Sequence, residues 1–184
     1  MSTLWLLRHP PVVAEPGLCY GRTDLACTAE ATRAVADAIA PLLPAAIEVR
    51  TSPLQRCAGL ADAIGDLRPD LRPAHRDARL AEMDFGQWEG RGWADIDPTE
   101  LEAWTNDFAD GRVGVDGETV RLFMRRVEAA WSDWQASAHD AIWVTHSGVM
   151  RAVLLLRNGV RCPVTAADWP RRPIAFGESV GIEV

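Results

Sequence analysis

The sequence predicts an α/β fold, a three-layer α/β/α sandwich with a mostly parallel sheet, on three observations. Short apolar runs alternate with amphipathic helical stretches along the chain, which is the pattern of successive βαβ units. Two of those runs stop at a histidine, and a third leads into an arginine-bearing helix start, as expected of strands that deliver polar side chains at one sheet edge. With 184 residues, 48% hydrophobic and 24% charged, and no internal repeat or linker, the chain suits one compact domain over residues 1–184.

The first strand is the apolar run 5–7, which ends at Arg8-His9-Pro10-Pro11, where proline forbids helical continuation. A loop follows through Gly17 and Tyr20-Gly21-Arg22-Thr23-Asp24. Thr28 fits the N-cap of a helix reaching about residue 43, because Val35, Ile39, Leu42 and Leu43 recur at i, i+4, i+7 and i+8. A second strand at 47–50 leads to Thr51-Ser52-Pro53, where Ser52 fits the N-cap and Pro53 the first helical position, placing Arg56 in the first turn.

A short strand is expected within 72–80, then a polar and aromatic loop over 81–90 and a helix around 99–108. The clearest helix follows Gly117, since Val120, Phe123, Met124, Val127, Trp131 and Trp134 share one face up to about residue 138. The run 141–145 is a third apolar strand, ending in His146-Ser147-Gly148 ahead of a helix at about 149–157. Residues 174–184, with Gly177 and Gly181, read as one or two short strands.

Acidic residues outnumber basic ones 26 to 19, the net charge is -7, and every basic residue is arginine. This balance predicts neither nucleic acid nor membrane as a partner. Without lysine there is no Schiff-base chemistry and no Walker-type phosphate loop. The longest apolar stretch, 38–47, holds two prolines and is far shorter than the roughly 20 residues that span a bilayer. The run before Arg8 is too short for a signal peptide, so a cytoplasmic location is expected. Cys19, Cys27, Cys57 and Cys162 form no C-x-x-C pair and read as free thiols. Neither an H-E-x-x-H motif nor a calcium loop is present, so no metal or cofactor is expected.

Three segments thus bring Arg8, His9, Arg56 and His146 to one edge. Two guanidinium forks and two imidazoles suit a tetrahedral dianion, because arginine stays charged and pairs bidentately with phosphate while a neutral imidazole nitrogen is a nucleophile near pH 7. The chemistry is phosphoryl transfer to histidine followed by hydrolysis. A carboxylic acid must protonate the leaving oxygen, and Glu82 and Glu89 are the candidates. Glu89 has an equal claim as a structural carboxylate orienting a neighbouring arginine. The expected partner is a small-molecule phosphate ester; a homodimer is compatible with the sequence but not required by it.

At these residues the sequence resembles a known family. Arg8-His9, Ser52-Pro53-Leu54-x-Arg56, Leu80-x-Glu82 with Phe85-Gly86-x-Trp88-Glu89-Gly90, Gly117-Glu118-Thr119 and Thr145-His146-Ser147-Gly148-Val149 look like the successive motifs of the histidine phosphatase superfamily, with its phosphoglycerate-mutase-like fold. The resemblance implies that His9 is phosphorylated, that Arg8, Arg56 and His146 hold the phosphoryl group, and that Glu82 is the general acid/base, a role predicting a buried carboxyl. It also suggests Thr23, Arg22 and Ser147 as further substrate contacts.

The sequence departs from the family at Pro10, where glycine is usual, and in the absence of an asparagine between Val12 and Cys19. Only 34 residues separate Glu82 from Gly117 and 38 follow His146; this compactness favours a phosphatase over a phosphoglycerate-type mutase. The Tyr20–Asp24 segment is most similar to the α-ribazole phosphatase group, which implies α-ribazole 5′-phosphate as a candidate substrate. A catalytically inactive phosphate-binding module is the alternative that Pro10 raises. Trp131 and Trp134 are expected in the core, whereas Trp88, Trp93 and Trp104 are read either as core, the favoured option, or as a wall for a ring-bearing substrate.

Overall fold

A computed structural model describes residues 2–183. Its sheet has the order β3-β2-β4-β1-β5, built from β1 (Thr3–Arg8), β2 (Glu48–Thr51), β3 (His75–Arg76), β4 (Ala141–Thr145) and β5 (Ser179–Glu183). Strands β1 to β4 are parallel, and β5 pairs antiparallel with β1 at the edge. Met1 and Val184, the ends of the expected domain and C-terminal segment, lie outside the described residues.

Alternation along the central strands makes the three layers. Leu4, Leu6, Ala141 and Trp143 enter the core beneath α4 (Val120–Ser137) and α5 (Ser147–Arg157). Leu7, Val49, Ile142 and Val144 enter the opposite core, beneath α1 (Ala29–Ile39) and α2 (Gln55–Leu67). Every residue of β4 is buried, as a strand covered on both faces requires. Trp131 and Trp134 are in the first core, as expected.

Local chemistry adjusts several expected boundaries. Thr28 caps α1 by accepting the Ala31 N–H at 3.1 Å, but the helix ends at Ile39 and tightens into a 3-10 turn at Ala40–Leu42, where Pro41 lacks the N–H an α-helix needs. The strand expected within 72–80 shrinks to two residues and a 3-10 turn at Ala78–Leu80, capped by Asp77. Helix α3 (Pro98–Asn106) starts with proline and is capped by Asp97.

Ser52 is not the N-cap of α2. The helix begins at Gln55, two residues after Pro53, and the Gln55 N–H donates to the Asp24 carboxylate at 2.7 Å, so the loop before α1 supplies the acceptor, while Ser52 Oγ accepts the Leu54 N–H at 3.3 Å just ahead of the helix.

The register places the site. Arg8 lies opposite Thr145, and the His9 N–H donates to the Thr145 carbonyl at 3.0 Å, carrying the pairing one residue beyond the strands. His9 and His146 therefore emerge side by side at the carboxyl edge of adjacent parallel strands, where α/β sheets bind ligands.

Candidate active site

His9 and His146 meet edge to face with ring centroids 5.1 Å apart. Both are buried, at 2% and 0% exposure, too little for either to meet its charge with bulk water. His9 Nδ1 is 2.6 Å from the Pro10 carbonyl. A carbonyl can only accept, so Nδ1 carries the proton and Nε2 keeps its lone pair. Burial pushes the His9 pKa down to about 3; the bond to Pro10 opposes this, and Arg56 and Arg8 reinforce it. The substituted proline thus retains the part of the position that fixes the tautomer, its carbonyl.

His146 is also held neutral, its pKa well below the ordinary value through burial and then the Arg56 charge. Its Nδ1 accepts from Arg56 Nε at 3.3 Å, leaving the proton on Nε2, 2.8 Å from Ser52 Oγ. That bond is where the Ser52 hydroxyl goes instead of to a helix cap. Arg56 also donates from Nη1 to the Thr23 carbonyl at 2.8 Å and from Nη2 to the Gly21 carbonyl. Three of its five N–H donors are spent and one remains on each terminal nitrogen, the fork that phosphate recognition uses.

Depressed histidine pKa values make the fold acid-sensitive. Unfolding returns each imidazole to its ordinary value near 6.5, so below that pH the unfolded chain binds more protons than the folded one. Stability present above pH 6.5 is then lost as pH falls towards the folded value of about 3 for His9, by about 1 kcal/mol per pH unit for each histidine. Urea unfolding between pH 4.5 and 7 measures this slope, and His9→Gln should reduce it. An unchanged slope in that variant would contradict the assignment.

Glu89 is a structural carboxylate, but it orients a loop rather than an arginine. It accepts the N–H groups of Gly21, Arg22, Thr23 and Phe85 at 2.8 to 3.0 Å and the Thr23 hydroxyl. Burial alone would raise its pKa; the bonds from Thr23, Phe85, Gly21 and Arg22 outweigh it and hold the value below the carboxylate norm. The clasped loop supplies the carbonyls that grip Arg56. The hydroxyl of Thr23 is thereby committed to Glu89. Arg22 is exposed and paired with Asp84 at 3.0 Å, and neither it nor Thr23 lines the cavity containing the histidines. In this structure both side chains are engaged within the loop and its neighbour Asp84.

Glu82 lines the same cavity as the two histidines. It is half-buried rather than buried, and its carboxylate accepts the N–H of Gly148 at 3.0 Å and of Met83 at 3.1 Å. A Cβ at Gly148 would sit 2.1 Å from Glu82 Oε1, so only glycine admits this approach. The Arg126 guanidinium fixes the backbone before it, donating to the carbonyls of Arg79, Ala81 and Glu82 at 2.7 to 3.0 Å while pairing with both carboxylate oxygens of Glu118 at 2.8 and 3.0 Å. This assigns Glu118 of the Gly-Glu-Thr motif to support of the segment carrying Glu82, and Thr119 caps α4. Sequence reasoning missed Arg126, which no local pattern distinguishes from the other arginines of α4.

Arg8, His9, Arg56, Glu82, His146 and Ser147 share a cavity of about 550 Å³. Its far wall is aromatic, formed by the partly exposed rings of Phe85, Trp93, Trp104 and Trp169 backed by the buried Phe108 and Phe123. The rings brace one another: Trp104 meets Phe108 at 5.0 Å between centroids, and Phe108 meets Trp169 at 6.2 Å. Of the three tryptophans read as core or wall, Trp93 and Trp104 line the cavity. Trp88 is 1% exposed and belongs to the core, its indole donating to Glu100 at 2.7 Å. Phe108, Phe123 and Trp169 were not foreseen as wall residues; they converge from segments far apart in sequence.

Comparison with known proteins gives an independent view. A family profile described as the histidine phosphatase superfamily (branch 1) matches residues 4–165. The chain is 31% identical over 163 residues to the adenosylcobalamin/α-ribazole phosphatase of Salmonella typhimurium, covering 82% of this chain and 77% of that protein. It superposes on a phosphoglycerate mutase from Thermus thermophilus with a TM-score of 0.70 at 30% identity, covering 98% of this chain and 92% of the other. A mycobacterial glucosyl-3-phosphoglycerate phosphatase shares the fold with a TM-score of 0.80 at 22% identity, covering 100% and 90% of the two chains.

Proposed function

Because the chain belongs to the histidine phosphatase superfamily, branch 1, we propose that it is a metal-independent phosphomonoesterase that works through a phosphohistidine, with α-ribazole 5′-phosphate as the favoured substrate. The observation that carries this reading is the tautomer of His9, whose unprotonated Nε2 is left beside Arg8, Arg56 and Glu82 in one cavity. Nε2 attacks phosphorus, the bond to the ester oxygen breaks, and Glu82 gives that oxygen a proton. Water then attacks the phosphohistidine, Glu82 takes its proton, and the N–P bond breaks to release phosphate and free His9. Arg8 and Arg56 balance the charge on the transferring group, the task a metal ion performs elsewhere. Four free cysteines fit a reducing, cytoplasmic compartment.

The substrate assignment rests on the cavity wall. The partly exposed rings of Phe85, Trp93, Trp104 and Trp169 favour a leaving group with a flat ring, since burying an aromatic face contributes through area and ring contacts. The benzimidazole of α-ribazole has that character, and the Salmonella relative is named for it. A phosphoglycerate, short and doubly anionic, would leave this wall uncovered; the mutase reading keeps only the likeness to the Thermus protein.

A panel of phosphate esters assayed with chelator present tests both levels. Expected is hydrolysis that survives chelator, with kcat/KM at least about tenfold higher for α-ribazole 5′-phosphate than for ring-free alkyl phosphates, corresponding to about 1.4 kcal/mol of ring contact. A flat profile would remove the substrate assignment and leave a broad-specificity phosphatase. Transfer to a phosphoglycerate faster than release of inorganic phosphate would replace the phosphatase reading with a mutase.

A further inference from the structure

We infer that Phe176 is a positioning residue for Arg8, holding the guanidinium by its ring face so that the charge stays available to phosphate. The inference rests on the reading of Arg8 as a phosphoryl ligand. Arg8 Cζ lies 3.8 Å from the Phe176 ring centroid, and the same ring lies 5.5 Å from the His9 ring.

The manner in which this protein holds its arginines makes the contact informative. Among the described residues, Arg22, Arg68, Arg79, Arg121 and Arg126 are each paired with a carboxylate, whereas the cavity-lining Arg8, Arg56 and Arg151 have none within ion-pair distance. A carboxylate would fix such a guanidinium but would also compete with an incoming phosphate for its charge. Carbonyls and aromatic faces hold the group without neutralising it. Arg56 is held in this way, by two carbonyls and, at 5.3 Å, the Tyr20 ring. For Arg8 the carbonyl is that of Ile174 and the ring is Phe176.

The segment carrying Phe176 is fastened to the nucleophile strand. The Arg8 N–H donates to the Glu178 carbonyl at 3.0 Å, and the Gly177 N–H lies 3.2 and 3.3 Å from the carbonyls of Arg8 and His9. The Glu178 carboxylate closes the turn by accepting the Ala175 N–H at 2.7 Å and pairing with Arg172 at 2.6 Å. Gly177 has φ +71°, and a Cβ there would come 2.9 Å from the Val35 side chain, so glycine is required for the turn to seat against α1. Phe176 itself is 42% exposed, so its ring lies at the surface against the Arg8 guanidinium.

The test compares Phe176→Leu, which keeps bulk but loses the ring, with Phe176→Tyr, which keeps the ring. Binding of orthophosphate, and its inhibition constant against an aryl phosphate, are measured alongside thermal unfolding. Expected is a two- to fivefold weaker phosphate affinity in the leucine variant, the size of an exposed cation–π contact, with KM rising more than kcat falls. The tyrosine variant should match the wild type. Equal affinity in all three proteins, or an equal loss in both variants, would overturn the inference and reduce Phe176 to packing. Wild-type protein that binds orthophosphate but hydrolyses no ester would defeat the proposed function while this comparison still stands. Wild-type protein that binds no orthophosphate would remove Arg8 as a phosphate ligand, and the inference with it.

Discussion

Replacement of His9 by alanine is expected to lower the turnover of an aryl phosphate by about 10⁴-fold or more, the scale seen when a covalent nucleophile is removed. The expectation follows from a hydrogen bond rather than from the residue type alone. With Nδ1–H committed to the Pro10 carbonyl at 2.6 Å and burial holding the ring neutral, Nε2 is an unprotonated nitrogen near neutral pH. No other group in the cavity offers the same combination. The second imidazole has its Nδ1 lone pair directed at Arg56 and its Nε2 at Ser52, and the Cys57 thiol beside it is fully buried with its pKa pushed well above the ordinary value by burial.

Radiolabel from a phosphate ester should therefore become trapped on the wild-type protein in acid-labile, alkali-stable form, and be absent from His9→Ala. His146→Ala should slow turnover without removing the site of label. Hydrolysis in His9→Ala within tenfold of wild type would exclude the covalent mechanism. Phosphate binding without label in the wild type would revive the inactive module that Pro10 suggested.

What could be read in the sequence follows from how local each feature is. The strand ends were legible because an apolar run broken by Arg8-His9 or His146 is a contiguous signal, and the parallel register of β1 and β4 then leaves the two histidines nowhere to go but beside each other. Arg56 was legible because Ser52-Pro53 signals a nearby helix start, although the helix begins two residues after Pro53, at Gln55. Ser52 was misplaced because hydroxyl and cap are also a local pattern; only the fold shows that Asp24 supplies the acceptor and that Ser52 faces His146. Thr23 and Arg22 carried a motif, yet the motif serves the loop that Glu89 clasps. Arg126, Phe176 and the Phe108 and Trp169 part of the cavity wall gave no signal, because each acts on residues distant in sequence through carbonyls or ring faces, which no side-chain pattern encodes.

Gly148→Ala should separate catalysis from stability with effects of opposite sign. Gly148 is the second residue of α5, where alanine is ordinarily preferred over glycine by about 0.5–1 kcal/mol. The atom its Cβ would strike is Glu82 Oε1, at 2.1 Å. That is the end of a flexible side chain, which can swing away at little cost to the fold. The swing breaks the 3.0 Å bond from the Gly148 N–H and removes the carboxyl from its place in the cavity it shares with His9, so the variant should unfold at the same temperature as wild type or slightly higher while kcat/KM falls by about 10² to 10³-fold, the contribution of a positioned general acid. The loss should also depend on the leaving group. An aryl phosphate whose phenol departs as a stable anion needs little protonation, whereas an alkyl phosphate needs nearly a whole proton, so the deficit should grow steeply from the first to the second. Glu82→Gln should show the same dependence, since it deletes the proton and leaves the shape. If Gly148→Ala loses equal activity on both esters, the glycine governs binding rather than proton transfer, and Glu82 is not the acid.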